Sequence, residues 1–183
     1  MAARASCDHG RIVAADPVVP EFVVPDFAVP KHKVGATLRL LGQAPVEVEL
    51  FLGESAARHS GHERPSDLLQ MAEPFLAVQL KAGGVLFASR HNILVLSIAS
   101  DVELGEEDLP VEDLAAEETK TADVVVRLED GSSISGNVVY LMPVGHRRLQ
   151  DYLNALPEAF LKLRNGDLVH LVNKERIVLV TAH

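Results

Sequence analysis

Sulfur and large aromatics are scarce in this chain, which has one cysteine, Cys7, no tryptophan, and only six Phe and two Tyr in 183 residues. A single cysteine excludes an internal disulfide, so no covalent staple supports the fold. Cys7 stands beside Asp8 and His9 with few further ligands in reach, and an incidental thiol is the simpler reading. So few aromatics leave little to stack on bases, and 17 Lys and Arg are outnumbered by 26 Asp and Glu. No apolar run approaches the ~20 residues that span a bilayer. The first residues pass into charge without the apolar core of a signal peptide, and a cytoplasmic protein is expected. A Gly-rich phosphate loop, a nucleophile elbow, a Cys-x-x-Cys and a His-Glu-x-x-His are all missing. No reaction centre is legible, and the expectation is a protein that is not an enzyme and carries no cofactor.

The net charge of −9 is concentrated in one place. Residues 101–118 hold nine acidic side chains and no basic one, whereas 1–100 has nine basic against ten acidic and 119–183 has eight against seven. Self-repelling charge with scattered Leu and Val marks a solvated linker. An alternative is that Leu104, Leu109, Val111 and Leu114 form an acidic docking motif for a basic partner.

What the chain does have is a repeat. His62-Glu63-Arg64-Pro65-Ser66-Asp67-Leu68-Leu69 is echoed by His146-Arg147-Arg148-Leu149-Gln150-Asp151-Tyr152-Leu153, so His-x-Arg-x-x-Asp-x-Leu recurs intact 84 positions on, from 62 to 146. Phe75-Leu76 answers to Phe160-Leu161, and Asn92 to Leu96 answers to Arg176 to Val180. An echo of this length makes the chain two copies of one domain joined by the linker. The division is an extended arm over 1–33, a first copy over 34–100, the linker over 101–118 and a second copy over 119–183. Copies of roughly 65 residues are marginal alone, and docking on each other is the direct remedy.

The pattern inside each copy is mainly β. In the second, Val124 to Leu128 is β-branched and apolar, Glu129-Asp130-Gly131-Ser132 supplies a turn, and Ile134 to Met142 returns. Helical spacing follows from Arg148 to Ala155, then strands over Ala159 to Arg164, Leu168 to Val172 and Ile177 to Thr181. The first copy has the same order with looser turns. Five short strands, with a short helix between the second and third, suit a small closed barrel that leaves few free edges.

Val124-x-Val126-x-Leu128-x-Asp130-Gly131-x-x-Ile134-x-Gly136 resembles the first sequence motif of Sm-like proteins. The helix with its Arg-x-x-Asp-x-Leu start is closer to a family of uncharacterised bacterial proteins built on tandem barrels of that kind. The resemblance implies two tandem SH3-like, or Sm-like, five-stranded barrels. It does not extend to RNA contacts, because the Arg-Gly signature before the last strand is replaced by Asn173-Lys174-Glu175-Arg176.

The repeated frame, His62, Arg64, Asp67 and Leu69 with His146, Arg148, Asp151 and Leu153, reads as structure. Each Asp lies in the first helical turn, where a carboxylate meets free amides and the positive end of the dipole, and each Leu packs inward. The arm holds a smaller repeat, Val-Pro at a five-residue step, whose prolines exclude a helix or central strand. Val19, Phe22, Val24, Phe27 and Val29 project from an extended segment of the type that lies along a groove or sheet edge, its own or a partner's. His59 and His62 make half a zinc site on a flexible loop. The reading that follows is a non-enzymatic interaction or scaffold module that binds a protein partner or itself. The alternatives are an Sm-like RNA-binding protein, against which the charge argues, and a metal sensor built on the His59/His62 loop.

Overall fold

The computed structural model describes residues 31–56, 61–104, 118–142 and 148–183. The arm, with Val19, Phe22, Val24, Phe27 and Val29, lies outside the described residues, as do Cys7, His59, His146 and the stretch 105–117.

Among the described residues, ten strands and three short α-helices follow one another as β1 (Lys31–Leu40), β2 (Val46–Gly53), α1 (Pro65–Leu69), β3 (Phe75–Leu80), β4 (Val85–Ser89), β5 (Ile93–Ala99) and α2 (Ser100–Glu103). Then come β6 (Glu118–Leu128), β7 (Ser133–Met142), α3 (Leu149–Ala155), β8 (Phe160–Asn165), β9 (Leu168–Asn173) and β10 (Ile177–Ala182). They form one antiparallel sheet in the order β10-β6-β7-β8-β9-β5-β1-β2-β3-β4. The expected mainly β architecture is present. The sheet is not closed: it ends at β4 and β10, and its two five-strand groups are joined where β5 pairs with β9.

The two groups pair alike. Leu38 faces Leu96 and Arg39 faces Val95 in the first, as Val126 faces Val180 and Arg127 faces Leu179 in the second. Each pairing slips at the same point, between Arg39 and Leu40 and between Ile177 and Leu179. The contact between β2 and β3 is confined to Val48↔Leu80 and Glu49↔Gln79, and that between β7 and β8 to Asn137↔Arg164, as expected of strands that bend sharply away from each other. At Gly136 a Cβ would lie 2.8 Å from the Arg164 carbonyl oxygen, so glycine lets β7 approach β8 this closely.

Local chemistry accounts for the connections. Asp130 Oδ1 accepts from the Ser132 amide at 2.9 Å, and Gly131 takes φ 81°, which closes the β6–β7 turn. Arg90 donates to the Leu68 carbonyl at the end of α1 (2.5 Å), and Lys174 donates to the Leu156 carbonyl just past α3 (2.5 Å). Cations following β4 and β9 thus satisfy carbonyls that a short helix leaves open.

Apolar side chains gather in two clusters that trade members across the joint. Phe160, Val169 and Leu171 from β8 and β9 complete the core of the first group, while Leu94 and Val95 from β5 enter the core of the second. The segment Asp101 to Leu104, assigned by charge to the solvated linker, belongs to the fold: Val102 and Leu104 pack on the first core and Glu103 is buried. Burial of one carboxylate with its apolar neighbours outweighs the acidic character of the run, because that carboxylate has partners.

Candidate functional site: the joint, the cleft beside it and the open edges

The β5–β9 joint is more than a ladder. Ser97 and His170 face each other with Oγ and Nδ1 2.8 Å apart. Asn173, buried, donates from Nδ2 to the Ile93 carbonyl (2.9 Å) and accepts from the Glu175 amide (3.0 Å), so it ties the two groups and caps the turn before β10. Arg176 donates to the His91 carbonyl (2.9 Å) and to Glu129 (2.7 Å). Burial, and secondarily the charge of Arg39, lower the proton affinity of the His170 imidazole, which favours its neutral form.

Beside the joint lies a polar cleft of about 320 Å³. Glu103, without exposed surface, places Oε1 2.9 Å from Lys162 Nζ and accepts at Oε2 from the Ser66 amide at the start of α1 (3.0 Å). One carboxylate therefore links α2, β8 and α1. Glu103 lies behind the cleft wall, which Ser66 and Lys162 form together with Asp67, Arg164, Tyr152 and Glu158. Burial, with the charge of Glu158 beside it, raises the Tyr152 phenol above its usual range. Tyr152 also stacks on Tyr140 at 5.1 Å, which seats α3 on β7. The arrangement is a latch holding one five-strand group on the other.

The repeated frame falls where helices begin. Asp67 Oδ2 accepts from the Arg64 amide at 2.9 Å, bonding the N-cap from the third helical position. Asp151 occupies the same position in α3, after Arg148. Leu69 is buried in the first core, and Leu153 is half-buried against the second. His62 is exposed, its ring 5.9 Å from that of His32 and edge-on to it. Among the described residues, no group of three or more His, Cys, Asp or Glu is placed to hold a metal ion. The described residues of the frame are thus divided between the starts of two helices. Glu103, Lys162, Ser97 and His170 were missed in the sequence: Glu103 hides in the acidic run, and the other three become neighbours only through pairing 59 to 73 positions apart (Glu103 to Lys162, Ser97 to His170).

The ends of the sheet differ from its interior. Among the described residues, β4 exposes Val85 and Phe87, its neighbour β3 exposes Phe75, and β10 exposes Val178 and Leu179. Neither edge segment, Val-Leu-Phe-Ala-Ser or Ile-Val-Leu-Val-Thr-Ala, contains a charge or a proline, the usual means of blunting an edge. No helix among the described residues is long and apolar enough to cross a membrane. Comparison with family models, with curated proteins and with solved structures found no match.

Proposed function

We propose that this chain is a non-enzymatic protein-interaction or assembly module of the cytoplasm, made of two tandem five-stranded units of SH3-like or Sm-like type. The observation that carries this reading is the pair of uncharged apolar edges, β4 and β10, left open by the sheet order. Such an edge offers a row of backbone donors and acceptors together with apolar side chains at alternate positions, the chemistry of strand addition. The joint supports the same reading, because this chain already uses edge pairing with exchanged core residues to hold two units together.

The test is recovery of what binds the tagged full-length chain at native expression, in parallel with a Phe87→Glu variant. The expected result is a stoichiometric protein, another species or the untagged chain itself, that the variant loses. Equal recovery by both proteins, or none by either, contradicts the assignment to the edges.

A further inference from the structure

The geometry points to an oxyanion pocket on the joint, in which Arg39, Ser97 and His170, walled by Ser133 and Ser135, take a tetrahedral phosphate group, free or carried by a small molecule. The pocket belongs to the middle of the sheet rather than to β4 or β10, and it does not depend on what those edges bind.

Strand pairing builds the site. Thr37 faces Ser97 across β1 and β5, and Ser97 faces His170 across β5 and β9, so two hydroxyls and an imidazole form one row over three strands. Arg39 comes two residues farther along β1, on the same face and opposite Val95. The alternate residues Ala36, Leu38, Leu96 and Ile98 enter the first core on the other face. Over the polar row folds the β6–β7 hairpin of the second group: Arg39 Nη1 donates to Ser132 Oγ (2.9 Å), and Ser133 and Ser135 help to enclose a cavity of about 320 Å³. Its size is at the lower end for small-molecule sites, and a place between two packed units is one where such sites concentrate.

The lining has the chemistry of an anion site. No Asp or Glu among the described residues lines it, and Arg39, half-buried, supplies a guanidinium whose contact is a hydroxyl rather than a carboxylate. Ser132 takes one of five donors arranged in a planar fork, and the fork is the geometry that grips phosphate. In the cleft beside Glu103, by contrast, Asp67 and Glu158 stand among the cations Lys162 and Arg164. Two carboxylates are coupled to the oxyanion pocket through hydroxyls, and both are engaged: Asp130 accepts from Ser132 Oγ (2.6 Å), and Glu47 accepts from Thr37 Oγ1 (2.7 Å) and from Lys81 (3.2 Å). The Thr37 proton is thereby spent, which leaves Ser97, Ser133, Ser135 and His170 as the donors around Arg39. Ser97 Oγ lies 2.8 Å from His170 Nδ1; with the ring proton on Nδ1 the imidazole donates to Ser97, and the Ser97 hydroxyl is released to donate to an oxyanion. Burial first, and the charge of Arg39 second, lower the proton affinity of His170, so guanidinium and imidazole share one space. Donors from β1, β5, β7 and β9 surround a bound group instead of meeting it in one plane. Four tetrahedral oxygens match that arrangement better than a planar carboxylate does.

The experiment titrates the full chain with sodium phosphate at constant ionic strength and follows the His170 imidazole by NMR, with His170→Gln assigning the signal. A saturable shift is expected. Arg39→Gln should weaken binding by roughly ten- to a hundred-fold, as for loss of hydrogen bonds from a charged donor, and Arg39→Lys by less. Lys33→Gln removes the same charge from an exposed pair with Glu49 and should leave binding unchanged. Ser135→Glu puts a like charge on the exposed wall and should abolish binding without touching a core, which keeps the test decisive if Arg39→Gln does not fold. Saturation by glycerol 2-phosphate as well as by phosphate supports the site and assigns it the phosphate of a larger molecule; saturation by inorganic phosphate alone supports it and assigns the free ion. Acetate that binds as tightly as phosphate overturns the ligand class. The absence of a saturable shift, its survival in Ser135→Glu or in folded Arg39→Gln, or an equal loss in Lys33→Gln overturns the site.

Discussion

The β5–β9 joint and the two open edges lie on corresponding strands of two five-strand groups that pair alike, and they differ in what lies beside them. At the joint, Leu94, Val95, Val169 and Leu171 are buried, and Asn173, Ser97 and His170 find partners across the seam. At the edges, Val85, Phe87, Val178 and Leu179 occupy the corresponding positions and face outward. Exposure here is a property of the neighbourhood rather than of the residue. Two groups that pair alike supply their own control: one surface of each kind shows what the other looks like when covered.

The largest expected effect sets two identical residues against each other. Phe160→Ala should destabilise the protein by about 3–5 kcal/mol in urea denaturation, because it empties a site inside the first core. Phe75→Ala, at the matching exposed position, should fall within about 0.5 kcal/mol when measured at low protein concentration. Equal losses would erase the contrast between joint and edge.

The latch can be broken next. Lys162→Met leaves Glu103 buried without its cation and should cost about 3 kcal/mol, near the lower end for such pairs because the ammonium keeps some contact with water. Adding Glu103→Leu should recover part of that loss, a coupling measurable by a double-mutant cycle. A smaller effect is expected at the bend of β7. Gly136→Ala brings a Cβ against the Arg164 carbonyl and should cost about 1–3 kcal/mol, measured as a shift of the denaturation midpoint at constant slope.

The smallest effect belongs to pH. His170 has its proton affinity lowered in the folded state, so the unfolded chain takes up a proton first as pH falls. Stability should therefore decline as pH drops through about 6.5 and below, with no contribution from this group at higher pH. His170→Gln should flatten that part of the profile, and an unchanged slope between the two proteins would contradict the assignment.

Much of this architecture is written locally. Asp130-Gly131 announces the β6–β7 turn, the runs beginning at Val124 and Ile134 read directly as its two strands, and the Asp67 and Asp151 frames mark helix starts. The joint is not written this way. Ile93-Leu94-Val95-Leu96 reads as a buried strand whatever flanks it, and nothing in the run says that a strand from the other half of the chain pairs with it. For the same reason the copies look separable in the sequence, although their cores exchange residues. Residues 119–183 alone would expose Phe160, Val169 and Leu171, which the first half otherwise covers. Glu103 was illegible for a different cause: composition averages over a run, whereas burial selects one side chain and its partners.

The most direct measurement of the central claim, that β4 and β10 are open edges whereas β5 and β9 form a covered joint, is amide hydrogen exchange of the full chain at ~1 μM. Rapid exchange of the outward-facing amides of β4 and β10, with the amides shared by β5 and β9 strongly protected, is the predicted result. Equal protection at the edges and at the joint would contradict it.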